Sequence, residues 1–193
     1  MRVVGLCGSL RKASANAGLL RACQAALKSK HNIHLDVVSI AALPLFNQDA
    51  ETPLPASVAA FRDSIGPADG FVFAACEYNS SISAALKNAI DWGSRGNNLF
   101  NNKPACIVGA GGYAGTTRAQ NHLRDILAAI NSHAMTHPEL RVEIFKTPRP
   151  FDAATGDLVC EATQVKVQHS ADAFAQYAKA ISGANLDAVR YRS

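Results

Sequence analysis

Apolar positions along this chain alternate between short continuous runs and the three-and-four spacing of a helix face. Val3 to Cys7 is an apolar run that stops at Gly8-Ser9, which predicts a buried strand. Leu19, Leu20, Cys23, Ala26 and Leu27 then fall on one helical face. Ile33 to Ile40 predicts a second strand, and Leu43 to Pro55 a long proline-bearing loop. A helix over Ala56 to Ile65 ends at Gly66-Pro67. Gly70 to Ala75 is the most apolar strand candidate, and Ile82, Ala85, Leu86, Ala89 and Ile90 form the stripe of the helix behind it. Ala105 to Val108 predicts a fourth strand running into a glycine-rich turn at 109–112. Ala119, Leu123, Ile126, Leu127 and Ile130 mark the next helix. A fifth strand is expected within 134–145, a loop around Pro148 and Pro150, and a last helix carrying Val167, Ala171, Phe174, Ala178 and Ile181.

Strands alternating with helices of this length imply β-α-β units with right-handed crossovers. Strands without a polar face imply a parallel sheet covered on both sides. The fold class expected is α/β: a flavodoxin-like three-layer sandwich with a five-stranded parallel sheet, order 2-1-3-4-5, formed by residues 1–193 as one domain. In such a sheet ligands bind beyond the carboxyl ends of the strands, where the order reverses. That directs attention to the loops after strands one, three and four.

Composition narrows the function. With 193 residues, 48% hydrophobic and 18% charged, the chain can bury a large core without staples. Five cysteines in no framework spacing suggest reduced thiols and a cytoplasmic protein. No signal-peptide pattern and no apolar run of membrane-spanning length occur, so no membrane role is expected. The net charge of +4 is scattered rather than clustered with aromatics, which argues against nucleic acid. A phosphate-bearing small molecule suits that sign. His133 and His137 have no third ligand nearby, so no metal site is expected.

The loop after strand one is Gly8-Ser9-Leu10-Arg11-Lys12-Ala13-Ser14-Ala15-Asn16. Backbone N–H groups and two hydroxyls converge at a helix start there, and Arg11 adds a fork for phosphate oxygens. An ordinary turn capped by Ser14 or Asn16 is the bland alternative. A Walker loop is absent. A low-molecular-weight phosphatase would need an arginine six positions after Cys7, where Ala13 stands. The loop after strand three runs Cys76-Glu77-Tyr78-Asn79-Ser80-Ser81-Ile82-Ser83. Its small residues allow a flat ligand to approach, while Glu77 suits loop-holding or helix capping as well as ligand contact. Gly109 to Ala114 matches G-x-G-x-x-A, a dinucleotide fingerprint, but on the fourth strand and without the acidic ribose partner.

Together these loops resemble those of the NADPH-dependent FMN reductase family, which includes quinone and chromate reductases. The resemblance lies in GSLRKASAN at 8–16, EYNSSI at 77–82, LKNAIDW at 86–92 and RAQNHLR at 118–124, and covers about residues 1–130. It implies that Ser9, Arg11, Ser14, Ala15 and Asn16 surround the FMN phosphate. Cys76, Glu77, Tyr78, Asn79 and Ser80 would lie along the isoalloxazine, with Gly111, Gly112 and Tyr113 closing the other side. Cys76 and Ser83 replace prolines usual in the family, which predicts a less stiff loop. Tyr113 and Thr116 replace glycines, and the Tyr113 ring is expected over the isoalloxazine rather than in solvent.

The resemblance further implies that electrons pass from NADPH (or NADH) through FMN to a small-molecule acceptor such as a quinone, nitro compound, chromate or free flavin. It also implies that no side chain need act as a nucleophile, and that a homodimer or homotetramer is expected. A flavodoxin-type electron carrier, a nicotinamide dehydrogenase using the 109–114 glycines, and a non-catalytic flavin-binding redox sensor stay open. The absence of strong acidity counts against the carrier.

Overall fold

The computed structural model describes residues 1–184. Its main sheet is built from β1 (Arg2–Cys7), β2 (His34–Val38), β3 (Gly70–Ala74), β6 (Pro104–Gly111), β7 (His133–Ala134) and β8 (Leu140–Glu143). All of its pairings are parallel, and the order is β2-β1-β3-β6, with β7 and β8 both paired to the far edge of β6. The order 2-1-3-4-5 therefore holds, with the fifth position shared by two short strands. The break follows from register. Pro104 and Ala105 pair with β7, and Val108 to Gly111 pair with β8. After Met135, whose N–H still bonds the Ala105 carbonyl at 2.8 Å, residues 136–139 leave the ladder, where Arg124 bonds the Thr136 carbonyl and Glu139 takes the guanidinium groups of both Arg124 and Arg141. A small antiparallel hairpin, β4 (Glu77–Tyr78) and β5 (Ser81–Ile82), stands apart from the sheet.

Helices cover both faces. Alternate residues of a strand point to opposite sides, so each strand feeds two cores. Val3, Val72, Ala74, Cys106 and Val108 pack against α1 (Ala15–His31) and α5 (Glu161–Gly183). Val4, Leu6, Phe71, Phe73 and Ile107 pack against α2 (Ala56–Ile65), α3 (Ala84–Ser94) and α4 (Thr117–Ala129). In the second core Phe71, Phe73 and Phe100 cluster with centroids 4.8–6.1 Å apart. Trp92 is fully buried there, and its indole N–H donates to the Pro44 carbonyl at 2.8 Å, which pins the loop after β2. No helix among the described residues is long and apolar enough to cross a membrane.

One sequence expectation is corrected. Gly109, Ala110 and Gly111 belong to β6 rather than to a loop. A Cβ at Gly109 would stand 1.8 Å from the Thr116 hydroxyl oxygen, and one at Gly111 2.6 Å from the Gly115 carbonyl oxygen. These glycines let the start of α4 close onto the strand. They do not form the strand-to-helix turn of a dinucleotide fingerprint.

Candidate functional site

At the carboxyl ends of β1, β3, β6 and β8 lies a cleft of about 220 Å³. Its walls are Ser9, Arg11, Ser14, Ala15 and Asn16 from the first loop, Cys76, Glu77 and Tyr78 from the second, Ala110, Gly111 and Gly112 from the end of β6, and Ile144 and Phe145 after β8. A larger groove of about 470 Å³ runs between α1 and α5. Its charged pair, Arg21 and Asp157, is bonded to itself at 2.7 Å, and alanines form much of the floor, so it offers little chemistry.

The first loop is shaped by α1. Ser14 is the N-cap, its hydroxyl accepting from the Ala17 N–H at 3.3 Å, and the Gly18 N–H reaches the Ser14 carbonyl at 2.9 Å. Among the described residues, the N–H groups of Ala15 and Asn16 meet no acceptor. They point out of a 17-residue helix whose dipole favours an anion at this end. Arg11 is exposed and its guanidinium donates to the Ala13 carbonyl at 2.9 Å, within the same loop.

Asn16 departs from expectation. Its side-chain amide donates to the Ala110 carbonyl at 2.8 Å and its oxygen accepts from the Ala110 N–H at 2.9 Å. That buried two-point clasp joins the first loop to β6. The side chain is committed to the backbone, so Asn16 offers an anion its main-chain N–H instead.

Glu77 is a trans-cap. Thr116, the residue before α4, makes no side-chain cap, and the Glu77 carboxylate accepts from the Ala119 N–H at 3.1 Å instead. Arg118 lies 3.9 Å from the same carboxylate. Ser83 caps α3 by accepting from the Leu86 N–H at 3.2 Å, and its hydroxyl donates to the Gly8 carbonyl at 2.7 Å. A proline could do neither. The expected loss of stiffness is thus offset by hydrogen bonds that tie the first two loops together. Thr116 is fully buried, and its hydroxyl oxygen accepts from Gln120 at 3.2 Å. Cys76 is buried beside Gly8. Burial raises its thiol pKa, the Cys7 thiol adds to the rise, and the Ser83 hydrogen bond lowers it in part. The thiol is therefore a neutral wall at neutral pH.

Three expected residues stand off the cleft wall. Asn79 and Ser80 adopt φ of 49° and 64° and make the two-residue turn between β4 and β5, which carries them away. Tyr113 sits on the turn from Gly112 to Gly115 with 95% of its surface exposed. Its ring covers nothing, because the turn lifts it outward past the end of β6. Conversely, Ala110, Ile144 and Phe145 were not foreseen. The Ile144 N–H bonds the Gly111 carbonyl at 2.8 Å, so pairing of β8 with β6 delivers them. An apolar Ile-Phe pair near the end of the predicted fifth strand was the available signal.

The profile of the family described as NADPH-dependent FMN reductase matches residues 1–147. A probable NADPH:quinone oxidoreductase 1 of Oryza sativa subsp. japonica is 47% identical over 163 residues, 82% of each chain. An NAD(P)H-dependent FMN reductase of Pseudomonas aeruginosa is 37% identical over 186 residues, covering 95% of this chain and 98% of that one. Among solved structures, the flavoenzyme NAD(P)H:(acceptor) oxidoreductase FerB of Paracoccus denitrificans superposes with a TM-score of 0.79 at 29% identity, covering 93% of this chain and 97% of its own. The flavodoxin-like sheet, the cleft at its switch point and these likenesses agree: the chain belongs to the NADPH-dependent FMN reductase family.

Proposed function

We propose that this protein is an FMN-dependent oxidoreductase that passes electrons from NAD(P)H to quinone-type acceptors. The observation that carries the reading is the pair of unpartnered N–H groups of Ala15 and Asn16. They open onto the same cleft as the Ser9 and Ser14 hydroxyls and Arg11. Such a cluster fits a phosphate monoester. The bare backbone of Gly111 and Gly112 fits a flat ring next to it. When bound there, FMN supplies the redox chemistry.

The chain's own residues bind, orient and exclude. Arg11 and the start of α1 hold the phosphate charge, and Ser9 and Ser14 add hydroxyls. Glu77 is held by α4, which keeps its negative charge directed at that helix and fixes the loop beneath Tyr78. Neither Cys76 nor Ser83 is a nucleophile, the first because burial keeps it protonated and the second because its O–H donates to the Gly8 carbonyl rather than to a base. One domain, a homodimeric or homotetrameric assembly and a cytoplasmic location complete the proposal. The free state of all five cysteines supports that location.

Titrating apoprotein with FMN tests the reading, followed by steady-state oxidation of NADPH with a benzoquinone. One equivalent of FMN should bind and turnover should follow. Arg11→Ala should weaken FMN by about ten- to a hundredfold, because a charged hydrogen bond contributes about 1.5–3 kcal/mol. Lys12→Ala should cost less, since Lys12 does not line the cleft. Equal losses at both positions would mean diffuse attraction rather than a shaped site. Tight FAD binding, or none by FMN, would overturn the assignment.

A further inference from the structure

Phe145 has no part in the phosphate site, yet it stands on the same cleft with 67% of its surface exposed. Its ring edge lies over bare backbone, with Cε2 3.8 Å from where a Cβ of Gly112 would be. The main-chain bond from Ile144 to Gly111 holds its base in place. Tyr78, 55% exposed, lines the same cleft from the loop after β3. In the sheet β3 and β8 flank β6, so the two aromatic side chains arrive from the two sides of the β6 terminus. An exposed apolar cluster at a cleft mouth signals a ligand. The hydroxyls and Arg11 of the cleft suit an anion, and these two aromatic side chains suit a flat apolar group.

We infer that Phe145, together with Tyr78, is a specificity-determining wall that selects flat conjugated acceptors over small inorganic oxidants. This rests on the FMN reading above. A planar quinone gains ring-to-ring contact with these side chains. A compact anion such as ferricyanide has no face to offer and reaches the cleft without them. Phe145 is mostly exposed and packs on a glycine, so its removal should leave the fold nearly unchanged.

The test uses the FMN-loaded protein and the variants Phe145→Ala, Phe145→Leu and Phe145→Tyr. The kcat/KM for a naphthoquinone should fall by about two- to tenfold in Phe145→Ala and Phe145→Leu, and recover in Phe145→Tyr. The value for ferricyanide should stay within twofold. Independently of turnover, 2-naphthol, a flat ring that accepts no electrons, is titrated into the oxidised holoprotein and followed by flavin absorbance. Its Kd should rise by the same factor in Phe145→Ala and Phe145→Leu, with the FMN Kd unchanged. Parallel losses for both acceptors would overturn the inference, as would unchanged 2-naphthol binding or a variant that loses FMN instead. Wild-type protein that binds no FMN would overturn the reading beneath it, and that result is visible before any variant is compared.

Discussion

Asn16→Ala should destabilise the FMN-free protein by roughly 2–6 kcal/mol. The wild-type amide satisfies both the N–H and the carbonyl of Ala110, and all of these groups are buried. Alanine leaves two backbone groups without partners, each costing about 1–3 kcal/mol. Asn16→Asp should also fail, because a carboxylate can accept from the Ala110 N–H but has nothing to donate to its carbonyl. Urea unfolding of the apoprotein measures this as a lower midpoint at similar slope. A loss below about 0.5 kcal/mol would mean that water or a backbone shift replaces the clasp. FMN should bind more weakly to both variants, because the clasp sets the first loop against β6.

A second large effect is expected at Gly18. In an ordinary helix Gly→Ala gains up to about 1 kcal/mol. Here the sign reverses. The added Cβ would stand 1.8 Å from the carbonyl oxygen of Gly156 and 2.8 Å from its carbon. Both belong to backbone and cannot swing aside as a side chain would. Gly156 adopts a φ of 74°, and its own Cβ position lies 2.7 Å from the Ser14 carbonyl oxygen. The segment before α5 is thus wedged under the phosphate loop. Gly18→Ala should cost about 1–3 kcal/mol of stability and also weaken FMN, since the wedge supports Ser14. An alanine variant as stable as wild type would show that the wedge shifts freely and supports nothing.

What the sequence made legible follows from how local its physics is. The faces of α1, α3 and α4, the apolar core of β3 and the turn that opens α1 depend on near neighbours, and each is readable from spacing. The other features depend on residues far apart in the chain. Glu77 caps a helix that begins forty residues later, and no spacing rule connects them. Phe145 reaches the cleft only through the register of β8 on β6. Gly109 and Gly111 read locally as part of a turn, yet they are strand because β6 pairs with β8 there, and their missing side chains leave room for Thr116 and Gly115. Tyr113 was expected over the cleft on the strength of its neighbours' position. The turn conformation of 112–115, with Ala114 and Gly115 at φ of 64° and 66°, turns it outward instead.

The divided fifth strand has a dynamic consequence. β1 and β3 are paired along both edges, whereas β8 hangs on β6 by four residues and nothing pairs its outer edge among the described residues. Segments held so lightly open by local excursions that cost far less than global unfolding. In native-state hydrogen exchange, amides of Val4 to Leu6 and Phe71 to Phe73 should report the global free energy, and those of Arg141 to Ile144 should exchange sooner. Equal protection would mean the edge is as rigid as the centre. Because Phe145 follows directly on that edge, the wall it forms is mounted on a lightly held part of the sheet, and opening there should widen the cleft without moving the first loop.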